Sequence, residues 1–223
     1  MRAEQSSNEL SRIYHRRFEH RVAYRNSVWK TLVTGFFSRY VSPDGTVLDL
    51  GCGYGEFINN IRCKRRLAID LNPSSRDVLD GEVRFFEQDC SEPWPLPDES
   101  LDVVFSSNFF EHLPNKDALS RTIDQAHRCL RPGGRMICIG PNIRYVKGAY
   151  WDFWDHQIPL TDLSMAEILE CSGFRIERKI SRFLPYTMPD KLTIPPAAVA
   201  LYLRFPLIWR FLGDQFLIVA VRG

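Results

Sequence analysis

Residues 47–57 read VLDLGCGYGEF, and this stretch decides the fold. An apolar strand-like run carries Asp49 near its end, and the glycines that follow it are Gly51, Gly53 and Gly55. Glycine has no Cβ, so the backbone can turn sharply here and approach a ligand closely. A glycine loop after a strand is a general cradle for nucleotides and anions, although a purely structural turn uses the same residues. The stretch predicts an α/β protein with a nucleotide-type loop.

The rest of the chain alternates β-rich runs with helical stretches. The runs are TVLDLG, RLAIDL, VRFFEQ, LDVVFSS, RMICIG, FRIERKI and QFLIVAV, and helices are expected near 55–63, 115–130 and 162–172. For the third helix, Thr161 is the expected N-cap and Gly173 the expected stop signal. This rhythm predicts a mostly parallel sheet with helices on both faces.

Two further segments flank this pattern. From Asn8 to Tyr40 apolar residues recur every three or four positions, which predicts a helical cap over residues 1–42. The main domain is expected to span 43–223, with an apolar, proline-rich helical insert at 184–212. This insert either packs on the domain as a cap or meets a membrane surface or a lipid-linked acceptor, because Trp, Leu and Arg together suit a headgroup boundary.

Composition limits the possible partners. The chain has 29 basic and 27 acidic residues, so its overall charge demands neither nucleic acid nor an acidic membrane. Its six cysteines are widely spaced, and no signal-peptide pattern precedes them, which predicts a reducing, cytoplasmic location. No run reaches the roughly 18 apolar residues that a membrane-spanning helix needs.

The glycine spacing separates two classes of enzyme. A dinucleotide fingerprint, G-x-G-x-x-G, would place its third glycine where Glu56 stands, so a dehydrogenase is disfavoured. The form D-x-G-x-G-x-G instead resembles the class I methyltransferases that use S-adenosylmethionine. The resemblance continues in order from about residue 45 to 142 and includes LRPGG at 130–134, a turn into the fifth strand. It implies a Rossmann-like seven-stranded sheet whose last strand is antiparallel.

The same resemblance implies the cofactor site. Asp70, at the end of RLAID, would accept hydrogen bonds from both ribose hydroxyls, which suits an acceptor-only carboxylate. Asp89 would accept from the adenine amino group, and Cys90 would donate from its backbone to the ring. The full set of implied S-adenosylmethionine-binding residues is Asp49, Gly51, Cys52, Gly53, Gly55, Asp70, Leu71, Asp89, Cys90, Ser107 and Asn108.

Two histidines are candidates for acceptor chemistry. His112, in FFEHL, is either a general base or, with Glu111, a structural part of the cofactor pocket. His156 lies in an aromatic loop after the fifth strand, where it is a candidate base for a hydroxyl acceptor. The aromatic residues expected to contact a flat or sugar-like acceptor are Tyr145, Tyr150, Trp151 and Trp154.

Several alternatives remain at this point. Asp152, Asp155, His156 and Asp162 contain metal-ligand atoms but match no metal motif, so no metal is expected. A nucleic-acid methyltransferase is disfavoured, because base-methylating enzymes commonly carry N-P-P-Y where this chain has SNFF. A non-catalytic cofactor-binding protein of the same fold is a further alternative. The favoured function is methyl transfer to a small-molecule or glycan acceptor, at oxygen.

Overall fold

A computed structural model describes residues 22–186 and 193–223. A seven-stranded sheet forms its centre, with β1 Thr46–Leu50, β2 Arg65–Asp70, β3 Val83–Glu87, β4 Leu101–Ser107, β5 Leu130–Pro141, β6 Phe174–Leu184 and β7 Gln215–Arg222. The strand order is β3-β2-β1-β4-β5-β7-β6. The first five strands pair in parallel, and β7 runs antiparallel to both β5 and β6. The predicted Rossmann-like sheet with an antiparallel last strand is confirmed.

Helices cover both faces of this sheet. They are α1 Val22–Gly35, α2 Lys116–Cys129, α3 Ile143–Val146, α4 Asp162–Cys171, α5 Pro196–Arg204 and α6 Pro206–Leu212, with shorter 3-10 helices at Phe37–Tyr40, Pro73–Val78, Phe110–His112 and Lys147–Asp152. The hydroxyl of Thr161 accepts from the Ser164 N–H, and Gly173 follows α4 at φ 89°. The predicted start and stop signals of α4 are therefore confirmed.

The helix expected near 55–63 is absent, and that expectation was wrong. The chain makes a series of turns over 54–60. The Asn59 side chain bonds outside the segment, donating to the Val78 carbonyl and accepting from the Asp80 N–H, both at 2.9 Å. These two bonds attach the segment to the backbone at Val78 and Asp80, before β3. The glycine loop therefore leads into turns and not into a helix N-terminus.

The LRPGG run lies inside β5, not before it. Two residue steps along β4, from Leu101 to Val103, face five steps along β5, from Leu130 to Arg135. Gly133 lies in this irregularity at φ 77°, a conformation that glycine adopts without strain. The predicted turn is therefore a bulge in a continuous strand.

The two faces of the sheet carry separate hydrophobic cores. One core includes α2 and α4, and the other joins α1 to the insert helices α5 and α6. In the second core the ring centroid of Phe36 lies 4.7 Å from that of Phe183 and 5.9 Å from that of Trp209. The predicted helical insert is confirmed, and together with α1 it covers this face. Of the predicted cap over 1–42, residues 1–21 lie outside the described part of the chain.

Among the helices within residues 22–186 and 193–223, none is both long enough and apolar enough to span a bilayer.

Candidate active site

The glycine loop directly follows β1 and lies beside the end of β2. Its three glycines have positive φ angles, 68° at Gly51, 50° at Gly53 and 69° at Gly55. The N–H groups of Gly51 and Cys52 donate to the Ile69 carbonyl, at 2.9 and 3.3 Å. These bonds fix the start of the loop against β2. The loop conformation thus requires the glycines that the sequence supplies.

Asp70 holds the middle of the loop. Its Oδ2 accepts from the Gly53 N–H and its Oδ1 accepts from the Asn72 N–H, both at 2.8 Å. Burial raises the pKa of this carboxyl, and the two backbone bonds oppose that rise. Each carboxylate oxygen can accept a second hydrogen bond. Asp70 is therefore fixed in orientation while it keeps acceptor capacity for the hydroxyl groups of a ribose.

Other carboxyl groups surround the same loop. Burial raises the pKa of Asp49 well above its ordinary value, and the neighbouring charges of Glu56 and Asp70 add to this effect. Glu56 forms an ion pair with Arg25 of α1 at 2.6 Å. A pocket edge with several buried carboxyls favours a cationic ligand, because a positive charge reduces their mutual repulsion.

The residues implied for adenine follow β3. Asp89 is exposed, and its Oδ1 accepts from both the N–H and the Oγ of Ser91, each at 2.8 Å. Cys90 is buried, and its carbonyl accepts from the Trp94 Nε1 at 2.8 Å. Leu71 is half-buried directly after Asp70. These residues lie at the carboxyl edge of the sheet, beside the glycine loop.

A cavity of about 540 Å³ begins at the glycine loop. The predicted site residues that line it are Asp49, Gly51, Cys52, Gly53, Ser107, Asn108, His112 and His156, and those outside its lining are Gly55, Asp70, Leu71, Asp89 and Cys90. The cavity therefore brings the glycine loop, Ser107 and Asn108 together with both candidate histidines.

The two candidate histidines lie side by side in the lining of this cavity. Their ring centroids are 4.9 Å apart. The Nδ1 of His112 lies 3.1 Å from the carbonyl oxygen and 3.3 Å from the Oδ2 of Asp155. The same ring presents its Nε2 to Glu111, whose Oε1 is 4.0 Å away. His112 is thus held on one side by Asp155 and faces Glu111 on the other.

Glu111 is the most deeply buried member of this group, with 1% of its surface exposed. Burial raises the pKa of its carboxyl to about 8, with a further contribution from the charge of Asp155. Its backbone carbonyl accepts from the N–H groups of Gln157 and Ile158, at 2.7 and 3.1 Å. These two bonds attach the loop that carries His156 to the 3-10 helix that carries Glu111.

The four predicted acceptor-binding aromatics are placed differently from one another. Tyr150 is fully buried, with its ring centroid 4.4 Å from that of His156. The Tyr145 ring lies under the Arg182 guanidinium at 4.7 Å. Trp151 and Trp154 are 57% and 82% exposed. None of the four lines the described cavity, so the structure places Tyr150 behind His156 and the other three away from it.

Comparisons with known proteins agree with this geometry. A family profile described as a methyltransferase domain matches residues 48–138, which include the glycine loop, Asp70 and Glu111. Residues 48–138 therefore carry a class I S-adenosylmethionine-dependent methyltransferase domain. The chain spans 54%, 65% and 49% of the length of the first three curated relatives it matches.

Two relatives and one solved structure illustrate the match. The methyltransferase is 30% identical over 143 residues to a Mycolicibacterium smegmatis protein named "Probable S-adenosylmethionine-dependent methyltransferase", covering 61% of this chain and 54% of that one. It is 32% identical over 134 residues to a malonyl-[acyl-carrier protein] O-methyltransferase of Dechloromonas aromatica, covering 57% and 49%. A methyltransferase structure from Archaeoglobus fulgidus, 21% identical, superposes with a TM-score of 0.68 and covers 92% of this chain and 99% of that one. This last likeness concerns the fold alone.

The described residues fit S-adenosylmethionine as the cofactor. The Asp70 carboxylate is fixed in orientation and can accept from hydroxyl groups, which suits a ribose. The buried Asp49 lies near Glu56 and Asp70, and this group of carboxyls suits a cationic ligand. When bound, this cofactor supplies a methyl group on a positively charged sulfur. The loop glycines let the backbone approach such a ligand closely.

Sequence reasoning missed one wall of the cavity. Trp29 of α1 and Val199, Tyr202 and Leu212 of the insert line it in the methyltransferase. The helical period of α1 was visible in the sequence, but it indicates only which residues are buried. Whether a buried side chain meets the core or a cavity depends on how the insert packs across α1.

The four residues once considered as metal ligands do not gather. Asp162 is buried at the start of α4, where it accepts from the Asn142 Nδ2 at 2.8 Å and the Ser181 Oγ at 2.7 Å. Asp152 is exposed. Asp155 contacts His112, and the His156 ring lies 4.9 Å from the His112 ring.

Proposed function

We propose that this chain transfers the methyl group of S-adenosylmethionine to an oxygen atom of a small-molecule or glycan acceptor. The observation that supports this proposal is one cavity lined both by the glycine loop and by Glu111, His112 and His156. Methyl transfer from a sulfonium is an in-line displacement, which depends on aligning the acceptor and excluding water. A cavity that joins donor loop and polar cluster suits both tasks.

The two histidines are the side chains we assign to the acceptor. An imidazole can hold a hydroxyl group by a hydrogen bond or take its proton. His156 is 6% exposed and stacks on the Phe153 ring, with centroids 5.0 Å apart, so its orientation is restricted. A restricted base or hydrogen-bond acceptor aligns the hydroxyl before transfer, which lowers the barrier more than a mobile one does.

Transfer to oxygen agrees with one of the relatives. The Dechloromonas aromatica protein is named as an O-methyltransferase. An oxygen acceptor carries a proton that must leave, and imidazoles at the acceptor end of the cavity suit that chemistry. Their position supports oxygen over carbon for this chain.

The cavity walls favour an acceptor with an apolar part. Trp29, Val199 and Leu212 line the side of the cavity formed by α1 and the insert. Outside, the two insert helices expose large apolar side chains, namely Leu201, Phe205, Leu207, Ile208, Phe211 and Leu212. Residues 193–213 include Arg204 and Arg210 but no acidic residue. An apolar, basic surface above the cavity supports a lipid-linked acceptor met at an anionic membrane surface.

Cofactor binding is the first test. Calorimetry of the full chain with S-adenosylmethionine, S-adenosylhomocysteine and NAD should show binding of the first two at micromolar concentrations and none of NAD. Binding of NAD without S-adenosylmethionine would overturn the proposal.

The acceptor is tested with cofactor labelled in its methyl group. Glycan, lipid and RNA fractions of a bacterial lysate are incubated with the chain, and label is expected in the glycan or lipid fraction. Mild base separates the products, because methyl esters release volatile methanol whereas methyl ethers and N-methyl groups keep the label. Label confined to RNA would favour the nucleic-acid alternative, and binding of cofactor without label in any fraction would favour a non-catalytic protein.

A further inference from the structure

Three potential metal-ligating side chains meet at the acceptor end of the cavity. A carboxylate oxygen of Glu111 and one ring nitrogen each of His112 and His156 all lie within 4.8 Å of one another. Glu111 and His156 are buried, and His112 is half-buried. Among the described residues, this is the group in which such atoms converge.

The backbone holds these side chains together. Glu111 and His112 belong to the 3-10 helix after β4, and His156 belongs to the loop after Lys147–Asp152. The Glu111 carbonyl accepts from the N–H of Gln157, next to His156, at 2.7 Å. This backbone hydrogen bond fixes the two segments to each other beside the three side chains.

The surroundings match those of metal-bound histidines. Ligating imidazoles usually present their other nitrogen to a carboxylate or a carbonyl, which fixes the ring and its tautomer. The Nδ1 of His112 has both, the carbonyl oxygen and the Oδ2 of Asp155, at 3.1 and 3.3 Å. This contact leaves the Nε2 of His112 directed toward Glu111.

Charge also favours a cation here. A carboxylate taken out of water is costly unless it is paired. The His112 Nε2 lies 4.0 Å from the Glu111 Oε1, a long distance for an ion pair. A divalent ion between them would offset the burial of this carboxylate better than an imidazole at that distance.

We propose that Glu111, His112 and His156 bind one divalent ion of the first transition series. Two imidazoles and one carboxylate form a ligand set typical of zinc and of non-haem iron, whereas Mg²⁺ and Ca²⁺ prefer oxygen ligands. Metal–ligand bonds of about 2.0–2.2 Å bring neighbouring ligand atoms to roughly 3.0–3.5 Å of one another. The ligand atoms now lie within 4.8 Å of one another, and small shifts of the side chains would close this gap without turning either ring.

The open side of this metal site faces the methyl donor. Glu111, His112 and His156 line the same cavity as Gly51 and Asn108. Three protein ligands leave coordination positions free on the cavity side, and an acceptor oxygen that binds there would lose its proton more easily. In that state the imidazoles are ligands, the ion lowers the pKa of the bound hydroxyl, and the proton leaves to solvent water. This role rests on the proposed function, whereas metal binding itself does not.

The test is a titration of the metal-free full chain with Co²⁺. Binding to nitrogen and carboxylate ligands gives visible absorption bands, and we expect them to saturate at one ion per chain. Glu111→Gln and His156→Ala should each weaken binding by on the order of 10-fold or more, since even loss of an outer-shell partner costs about that much. Excess Mg²⁺ should not displace the cobalt.

Matched controls separate this site from stray histidines. His127 lies outside the cavity lining, so His127→Ala should bind Co²⁺ as the unchanged chain does. A variant in which His15 and His20 are both alanine tests the two histidines outside the described residues. Absent bands, bands that saturate in Glu111→Gln at the same Co²⁺ concentration as in the unchanged chain, or bands lost in the His15 and His20 variant would overturn the proposal. Because no cofactor or acceptor is present, this outcome is independent of methyl transfer.

Discussion

Replacement of Asp70 by alanine gives the sharpest test of the cofactor site. In the structure both carboxylate oxygens already accept backbone N–H groups, from Gly53 and Asn72, at 2.8 Å. The substitution therefore removes two things at once. It deletes the acceptor for the ribose hydroxyls, and it leaves two loop N–H groups without their partner. We expect both the cofactor affinity and the free energy of unfolding to fall.

The sizes of these two effects follow from hydrogen-bond energetics. A hydrogen bond to a charged acceptor contributes about 1.5–3 kcal/mol, but desolvation raises the pKa of this carboxyl and reduces its advantage. We therefore expect a net loss of about 1–3 kcal/mol in S-adenosylmethionine binding, or roughly 5- to 150-fold in Kd. Each N–H group left without a hydrogen-bond acceptor lowers the free energy of unfolding of the apo protein by about 1–3 kcal/mol, and by less where water reaches it.

Calorimetry with S-adenosylhomocysteine measures the first effect, and urea denaturation measures the second. Asp77→Ala is the matched control, because Asp77 is exposed on the 3-10 helix that follows β2. It should change neither quantity. If Asp70→Ala bound the cofactor within twofold of the unchanged chain, Asp70 would not be part of the ribose site.

Other substitutions probe the rest of the site. Gly51→Ala should abolish cofactor binding and lower stability, since its Cβ would lie 2.2 Å from the Phe109 ring at φ 68°; normal calorimetry would contradict this. Asp49→Asn should raise the apo melting temperature increasingly as pH rises above about 4. The reason is that folding raises the pKa of Asp49, so its ionisation destabilises the folded protein above the pKa of the unfolded state. A pH-independent difference in melting temperature would contradict this. His156→Ala should leave cofactor affinity unchanged and slow methyl transfer by about 10²–10⁴ in a labelling assay, and an unaltered rate would remove His156 from the chemistry. Phe211→Glu should reduce sedimentation with anionic vesicles but not cofactor binding, and equal sedimentation would argue against a membrane contact.

The central strands were predictable because they are buried on both faces. All five residues of β1 are buried, and such strands appear in the sequence as continuous apolar runs between turn residues. The bounds of α4 were equally clear, since Thr161 and Gly173 carry its capping chemistry within a few residues. Features of this kind depend on local sequence.

The errors arose where distant residues decide local structure. The turns over 54–60 replace the expected helix, and Asn59 there bonds to Val78 and Asp80, about twenty positions away. His112 and His156 were each visible as candidates, but their convergence with Glu111 depends on bonds between two separate loops. No spacing rule covers such a cluster, because 44 positions separate the two histidines.

The insert leaves the sheet and returns to it at the same place. Leu184, at the end of β6, is the register partner of Gln215, at the start of β7, and the Asp214 N–H donates to the Leu184 carbonyl at 2.8 Å. An excursion whose two ends meet can be exchanged for another, provided that the replacement again packs on Phe36 and Phe183, as Trp209 does. The donor site is built from other elements, so the segment 185–214 is a natural module for grafting. A chimera with another family member's segment should keep the methyl donor and change the molecule that receives the methyl group.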